Sequence, residues 1–176
     1  MQLIKSSLTI LVLLTISFVD LSAQFAGGAG TSANPYQVNT LAHLNTIAGN
    51  STYWNKYFIQ TANIDASSTS TQNSGAGFAG IGSLANTFTG SYDGQGYSIT
   101  GLHMNRPTTN YVGLFNYVHQ GAVIKNLNII NADITGLDFV GGIVGYAELN
   151  TELQNLTIDN QSSVTVDDYV GGITGE

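Results

Sequence analysis

A short segment that recurs along the chain limits the accessible folds more than any other feature of the sequence. Residues 139–146 read Phe-Val-Gly-Gly-Ile-Val-Gly-Tyr, and related segments begin at Tyr111 and Tyr169. The leading aromatic residues of the three segments lie 28 and 30 residues apart. A repeat of this length indicates structural units that stack, since each unit needs a neighbour to cover its apolar face. We therefore expect a repeat structure rather than one closed globule.

Each complete repeat divides into three strand-like segments separated by polar turns. The predicted strands are 111–118, 123–130 and 132–135 in one unit, and 139–147, 153–159 and 163–166 in the next. Leu127 and Ile129 point to the same side of their strand, as do the equivalent Leu156 and Ile158. Three strands in a coil of 28 to 30 residues predict an all-β fold, a right-handed parallel β-helix. An antiparallel sandwich fits the turn spacing but leaves the period unexplained.

Two polar or flexible positions recur with the same period. Asn126 and Asn155 are 29 residues apart, which predicts a ladder of side-chain hydrogen bonds along one turn of the stack. The pairs Gly141-Gly142 and Gly171-Gly172 are expected at corners or where two backbones approach closely, because glycine has no Cβ atom.

The first residues have the pattern of a secretory signal peptide. Lys5 precedes an apolar stretch at 8–19, and Leu21-Ser22-Ala23 supplies a small residue at the cleavage point. The apolar stretch is too short to span a bilayer. We predict that residues 1–23 are removed and that the mature protein is secreted or at the cell surface, with no membrane insertion. An uncleaved membrane anchor is the alternative.

The next residues, 24–77, are predicted to form an N-terminal capping region with a short helix and a loop. Thr40 is a suitable N-cap, Leu44 and Ile47 fall on one helical face, and Gly49-Asn50 ends the pattern. A helix at the start of a β-stack covers its first open edge.

The coils are predicted to occupy 78–176. They contain two complete repeats and a truncated one, at 111–138, 139–168 and 169–176. Because the sequence stops inside a repeat and shows no capping unit, we expect it to be a fragment of a longer protein.

Composition excludes several classes of function. The chain has 4 Lys and Arg residues against 11 Asp and Glu, and its net charge is −7. No basic surface is available for nucleic acid or for a polybasic membrane contact. The chain has no cysteine, which excludes disulfides, thiolate zinc sites and a cysteine nucleophile.

The repeated segments resemble the GLUG-motif repeats of bacterial secreted and surface proteins. Segments 30–38 and 88–99 also resemble regions that precede such repeats, so the resemblance extends from Gly27 to the end of the chain. The first repeat departs from the pattern at Asn116, where the later ones have Val144 and Thr174 followed by glycine. The resemblance implies a β-solenoid of a large adhesin-type surface protein, in some cases attached to a secreted protease. It implies no catalytic residues, and the signal-peptide ending is similar to that of secreted Bacteroidetes proteins.

Carboxylates are the first candidates for chemistry. They lie near turns of successive coils, at Asp133, Asp138, Asp159, Asp167 and Asp168. Aligned on one flank, they are suited to hold calcium or to act as the acid and base of a polysaccharide lyase or hydrolase. The simpler interpretation is solvated turn residues, since aspartate favours turns.

Aromatic residues are the second candidates. Tyr53 and Trp54 are the predicted ligand-binding residues, whereas Tyr111, Phe139 and Tyr169 are interpreted as packing residues. Together these observations predict a non-catalytic, adhesin-like or spacer region whose partners are surface glycans or host or matrix proteins. The alternatives are a polysaccharide-active β-helix enzyme and a stalk of a larger secreted protease.

Overall fold

The computed structural model describes residues 24–119 and 121–175, so the predicted signal peptide at 1–23 lies outside the described residues. The described chain consists mostly of short β-strands in parallel sheets, which form a β-solenoid of about 4 turns. This arrangement confirms the predicted parallel β-helix. Among the described residues, no helix has the length and apolar character needed to cross a membrane.

The regular elements are short and follow one another closely. Helix α1 spans Leu41–Gly49, and 3-10 turns lie at Ser51–Tyr53 and within Ser67–Gly75. The strands are β1 (Tyr36–Val38), β2 (Tyr57–Gln60), β3 (Ile64–Asp65), β4 (Ser91–Asp93), β5 (Ser98–Thr100), β6 (His103–Asn105), β7 (Phe115–Val118), β8 (Val123–Ile130), β9 (Asp133–Thr135), β10 (Val140–Gly141), β11 (Val144–Ala147), β12 (Glu152–Ile158), β13 (Ser163–Thr165) and β14 (Val170–Gly171).

Strands from successive coils pair in parallel and in register. The longest column runs β1, β2, β4, β8 and β12, and a second column runs β6, β9 and β13. Leu127 lies opposite Leu156, and Ile134 lies opposite Val164. The equivalences between repeats that the sequence predicts are therefore confirmed as neighbours in space.

The core is formed by the inward side chains of these columns. Phe58, Tyr92 and Ile124 follow one another up the stack and are at most 1% exposed. Burial of each such side chain stabilises the fold by roughly 1.5–3 kcal/mol. The Tyr92 hydroxyl donates a hydrogen bond of 3.1 Å to the buried Gln60 side chain, so the polar groups inside the core are paired.

The N-terminal end of the stack is closed in two ways. Helix α1 has the predicted Thr40 N-cap, whose hydroxyl accepts a hydrogen bond of 3.3 Å from the His43 amide, and it buries Leu44 and Ile47 in the core. The backbone edge of β1 is covered by the preceding segment, since Ala26 and Gly27 make both hydrogen bonds of the Gln37 backbone, at 2.9 and 2.8 Å. No free edge of β1 remains at Gln37.

The predicted Asn ladder is present and has a third rung. The Asn155 amide donates to Asn126 at 2.9 Å, and the Asn126 amide donates to Asp93 at 2.9 Å. Asn126 and Asn155 have φ values of 54° and 49°, in the left-handed region that asparagine tolerates better than most residues. The ladder therefore marks the bend that β8 and β12 share.

The predicted strands 123–130, 132–135, 153–159 and 163–166 agree with β8, β9, β12 and β13 to within one residue at each end. The single strands predicted at 111–118 and 139–147 are wrong. The latter is two strands, β10 and β11, separated by a corner at Gly142 and Ile143. A Cβ atom on Gly142 would lie 2.6 Å from the Gly172 carbonyl oxygen, so the chain turns where glycine allows close backbone approach.

The corner of the later repeat is one residue longer than that of the earlier one. Val112 lies opposite Val140, but Phe115 lies opposite Val144. An ungapped comparison of the repeats instead places Asn116 opposite Val144. The Asn116 amide caps the shorter corner, because it donates hydrogen bonds to two backbone carbonyls of the preceding coil, at 3.1 and 3.3 Å.

Candidate ligand-binding surface

The leading aromatic residues of the repeats form a stack on the outside of the solenoid. Tyr111, Phe139 and Tyr169 make this first aromatic column, with ring centroids 5.2 and 4.8 Å apart and interplanar angles of 20° and 7°. Tyr111 and Phe139 have φ values of 61° and 56°, which are strained for bulky residues. They pack as the sequence indicates, but on one another at the surface, where Tyr169 is 50% exposed.

A second aromatic column stands beside the first. It consists of Tyr117 and Tyr146, which end the repeated segments and have centroids 4.8 Å apart. Tyr117 contacts Tyr111 at 76°, and Tyr146 contacts Phe139 at 89°. These edge-to-face contacts join both columns into one aromatic surface. The sequence signal for it was a second tyrosine in each of two segments, which the period alone does not distinguish from core residues.

A glutamate from the next turn lies against the second aromatic column. Glu148 accepts hydrogen bonds from the Tyr117 hydroxyl at 3.0 Å and from Nε2 of His119 at 2.9 Å. Burial raises the pKa of Tyr117 to about 12, and the hydrogen bond to Glu148 contributes to the shift. The phenol therefore keeps its proton at neutral pH and acts as a donor to the carboxylate.

A shallow cavity opens at the end of this cluster. It has a volume of about 420 Å³ and is lined by Tyr146, Ala147, Glu148 and Leu149. Leu149 is 87% exposed, which is unusual for a large apolar side chain beside a carboxylate and an aromatic ring. Cavities that combine an aromatic wall with one charged group are typical of ligand sites.

The raised pKa of Tyr117 predicts a specific loss of stability at alkaline pH. An unfolded tyrosine titrates near pH 10. Because the folded-state pKa is higher, at about 12, the contribution is complete below pH ~10 and is lost as the pH rises towards about 12. Urea unfolding across this range should show that Tyr117→Phe reduces the decline. An ultraviolet phenol titration of Tyr117→Phe that matches the unsubstituted protein would contradict this assignment.

The predicted ligand-binding residues lie in the N-terminal coil and are half-buried. Tyr53 packs edge-on against Phe25, with centroids 5.2 Å apart, and its hydroxyl donates to the Gln24 side chain. Trp54 donates from Nε1 to the carbonyl oxygen of Ile47 at 2.7 Å. Both contacts hold the side chains against the core, and ligand binding by this pair stays a prediction.

The candidate carboxylates are held separately in their turns. Asp133 pairs with His103 at 3.2 Å. Asp159 accepts hydrogen bonds from the Ser162 hydroxyl at 2.6 Å and from the Asn131 amide at 2.9 Å, and these lower its pKa. Within 24–119 and 121–175, no group of three or more His, Asp or Glu side chains is arranged to hold a metal ion. The calcium hypothesis therefore has no site in this part of the chain.

The chain is similar to segments of two much longer proteins. Halomucin of Haloquadratum walsbyi is 38% identical over 153 residues, which cover 84% of this chain and 2% of halomucin. A protein of Evansella cellulosilytica, described by name as a Gly-rich membrane protein, is 38% identical over 114 residues. That match covers 65% of this chain and 13% of the relative. No family model matches the chain, and no solved structure matches it at a significant level.

Proposed function

We propose that the chain is a non-catalytic β-solenoid segment of a secreted or cell-surface protein, in which it serves as a spacer. The observation that carries this proposal is the in-register pairing of strands from successive coils, from β1 through to β12. Because every coil adds one strand to each column, the length of such a structure is set by the number of coils.

The surface location is supported by the relatives and by the sequence. One relative is a halomucin and the other is named as a membrane protein, and neither name denotes an enzyme. The predicted signal peptide and the resemblance to GLUG-motif repeats are consistent with the same location. The turn hydrogen bonds of Asp133 and Asp159 give these carboxylates structural roles, which favours the spacer over the polysaccharide-active alternative.

An adhesin-like binding role is favoured by a separate observation. The two aromatic columns and the cavity at Tyr146 form a partly exposed aromatic surface, which is a common feature of recognition sites. Surface glycans and host or matrix proteins are the partner classes that we propose for the surface as a whole.

The spacer role is tested by changing the number of coils. One or two further copies of residues 139–168 are inserted after residue 168 of the mature chain, and small-angle X-ray scattering gives the length and the cross-section. We expect the length to increase by about 4.8 Å for each inserted coil, the spacing of neighbouring strands, with an unchanged cross-section.

The matched control carries a shuffled copy of the same unit, so that composition and length are equal. It should form a flexible insertion and broaden the scattering profile instead of lengthening the rod. If the authentic and the shuffled insertions give the same profile, the solenoid does not extend by coils and the spacer proposal is wrong.

A further inference from the structure

The arrangement of the aromatic columns leaves one face of Tyr146 free. Phe139 lies between Tyr111 and Tyr169, which stack on its two faces at 20° and 7°. Its perpendicular contact with Tyr146, at 5.7 Å and 89°, is therefore made by the edge of Phe139 against the face of Tyr146. Since Tyr146 also lines the cavity, the side of its ring turned away from Phe139 is the side that a ligand can reach.

The carboxylate beside this ring has unused hydrogen-bonding capacity. Each oxygen of Glu148 accepts one hydrogen bond, from Tyr117 and from His119. A carboxylate accepts about four, so acceptor positions remain for a donor in the cavity. The Glu148 side chain is 34% exposed, which leaves it accessible without placing it fully in solvent.

The charge distribution favours a cation in this position. Glu148 is paired with His119, whereas Lys125 lies beside Asp93 and Arg106 donates to backbone carbonyls of Phe78 and Gly77. With a net charge of −7, the protein attracts small cations over the whole surface. The negative face of an aromatic ring and a carboxylate together select a positively charged group.

We propose that the free face of Tyr146 and the carboxylate of Glu148 bind an alkylammonium group, whose carbon atoms contact Leu149. A positive charge over the ring gains the cation–π attraction, and the carboxylate neutralises it. Two sources share this chemistry, namely a lysine side chain of a partner protein and a quaternary amine. The inference deepens the binding role proposed above and does not depend on the spacer role.

The test compares a cation with its uncharged isostere. Choline, and the alcohol in which a tert-butyl group replaces its trimethylammonium group, are titrated into the mature chain and followed by NMR. We expect choline to bind roughly fivefold more tightly and to shift the signals of Tyr146 and Leu149. Equal affinities would show that only apolar contact is involved and would overturn the proposal.

Two substitutions define the contribution of the carboxylate. Glu148→Gln keeps the shape of the side chain and should weaken choline binding roughly fivefold, while binding of the uncharged alcohol stays the same. Glu152→Gln is the matched control, because Glu152 is exposed on β12 and does not line the cavity. An unchanged affinity for choline in Glu148→Gln would also overturn the proposal.

A third ligand distinguishes the two sources. Tighter binding of acetyl-lysine methylamide than of choline supports a lysine side chain of a partner protein, and the opposite order supports a quaternary amine. If neither binds more tightly than the uncharged alcohol, no ammonium site exists here. That result leaves the scattering experiment on inserted coils unaffected, so the two proposals fail separately.

Discussion

Replacing Gly141 with alanine is expected to destabilise the solenoid by about 3 kcal/mol. A Cβ atom at this position would lie 2.1 Å from the carbonyl oxygen of Val144 and 2.8 Å from the amide nitrogen of Gly175. Both neighbours are backbone atoms of the stacked corner and cannot rotate out of the way. Urea unfolding, monitored by circular dichroism, measures the change through the transition midpoint.

The same repeat supplies a matched control for Gly141→Ala. At Gly172 an added Cβ atom would meet only the Ile158 side chain, at 3.6 Å, which is an ordinary van der Waals distance. Gly172→Ala should therefore change the free energy of unfolding by no more than about 0.5 kcal/mol. Similar losses in both variants would show that the corner is not closely packed at Gly141.

The second large effect is expected in the stacked core. Leu127 is fully buried and lies directly opposite Leu156 of the next coil. Leu127→Ala leaves a cavity between coils that the rigid strand spacing cannot close, so we expect a loss of about 3 kcal/mol. The free energy of unfolding from urea titration measures this loss.

The neighbouring coil again provides the comparison. Leu156 has the same side chain at the same register position, but it is only partly buried. Leu156→Ala should cost about half as much as Leu127→Ala, because less apolar surface is lost from the core. Equal losses at the two positions would contradict the difference in burial.

Strand pairing was predictable from the sequence because in a stacked fold the repeat period is also the register. The spacing of 29 residues between Asn126 and Asn155 places their side chains within hydrogen-bonding distance once the coils stack. Helix α1 was predictable for a different reason, since the N-cap Thr40 and the apolar spacing of Leu44 and Ile47 are local signals.

The corners and the binding surface required the structure. A corner that differs by one residue between repeats shifts every later residue, so Asn116 could not be placed by comparing the segments. His119 and Glu148 come from the turns of two successive coils and form no motif with Tyr117. Their proximity depends on which side of the backbone each turn leaves, and the period does not specify that side.

The covered edge at Gln37 gives the solenoid a direction of assembly. Its hydrogen-bonding groups are already used by Ala26 and Gly27, so a new coil has no template on that side of β1. Each later coil instead forms against the strands that precede it in the chain. A ribosome releases the chain in the same order, so every coil finds a completed surface waiting for it during synthesis. Folding can then keep pace with translation without distant segments having to meet.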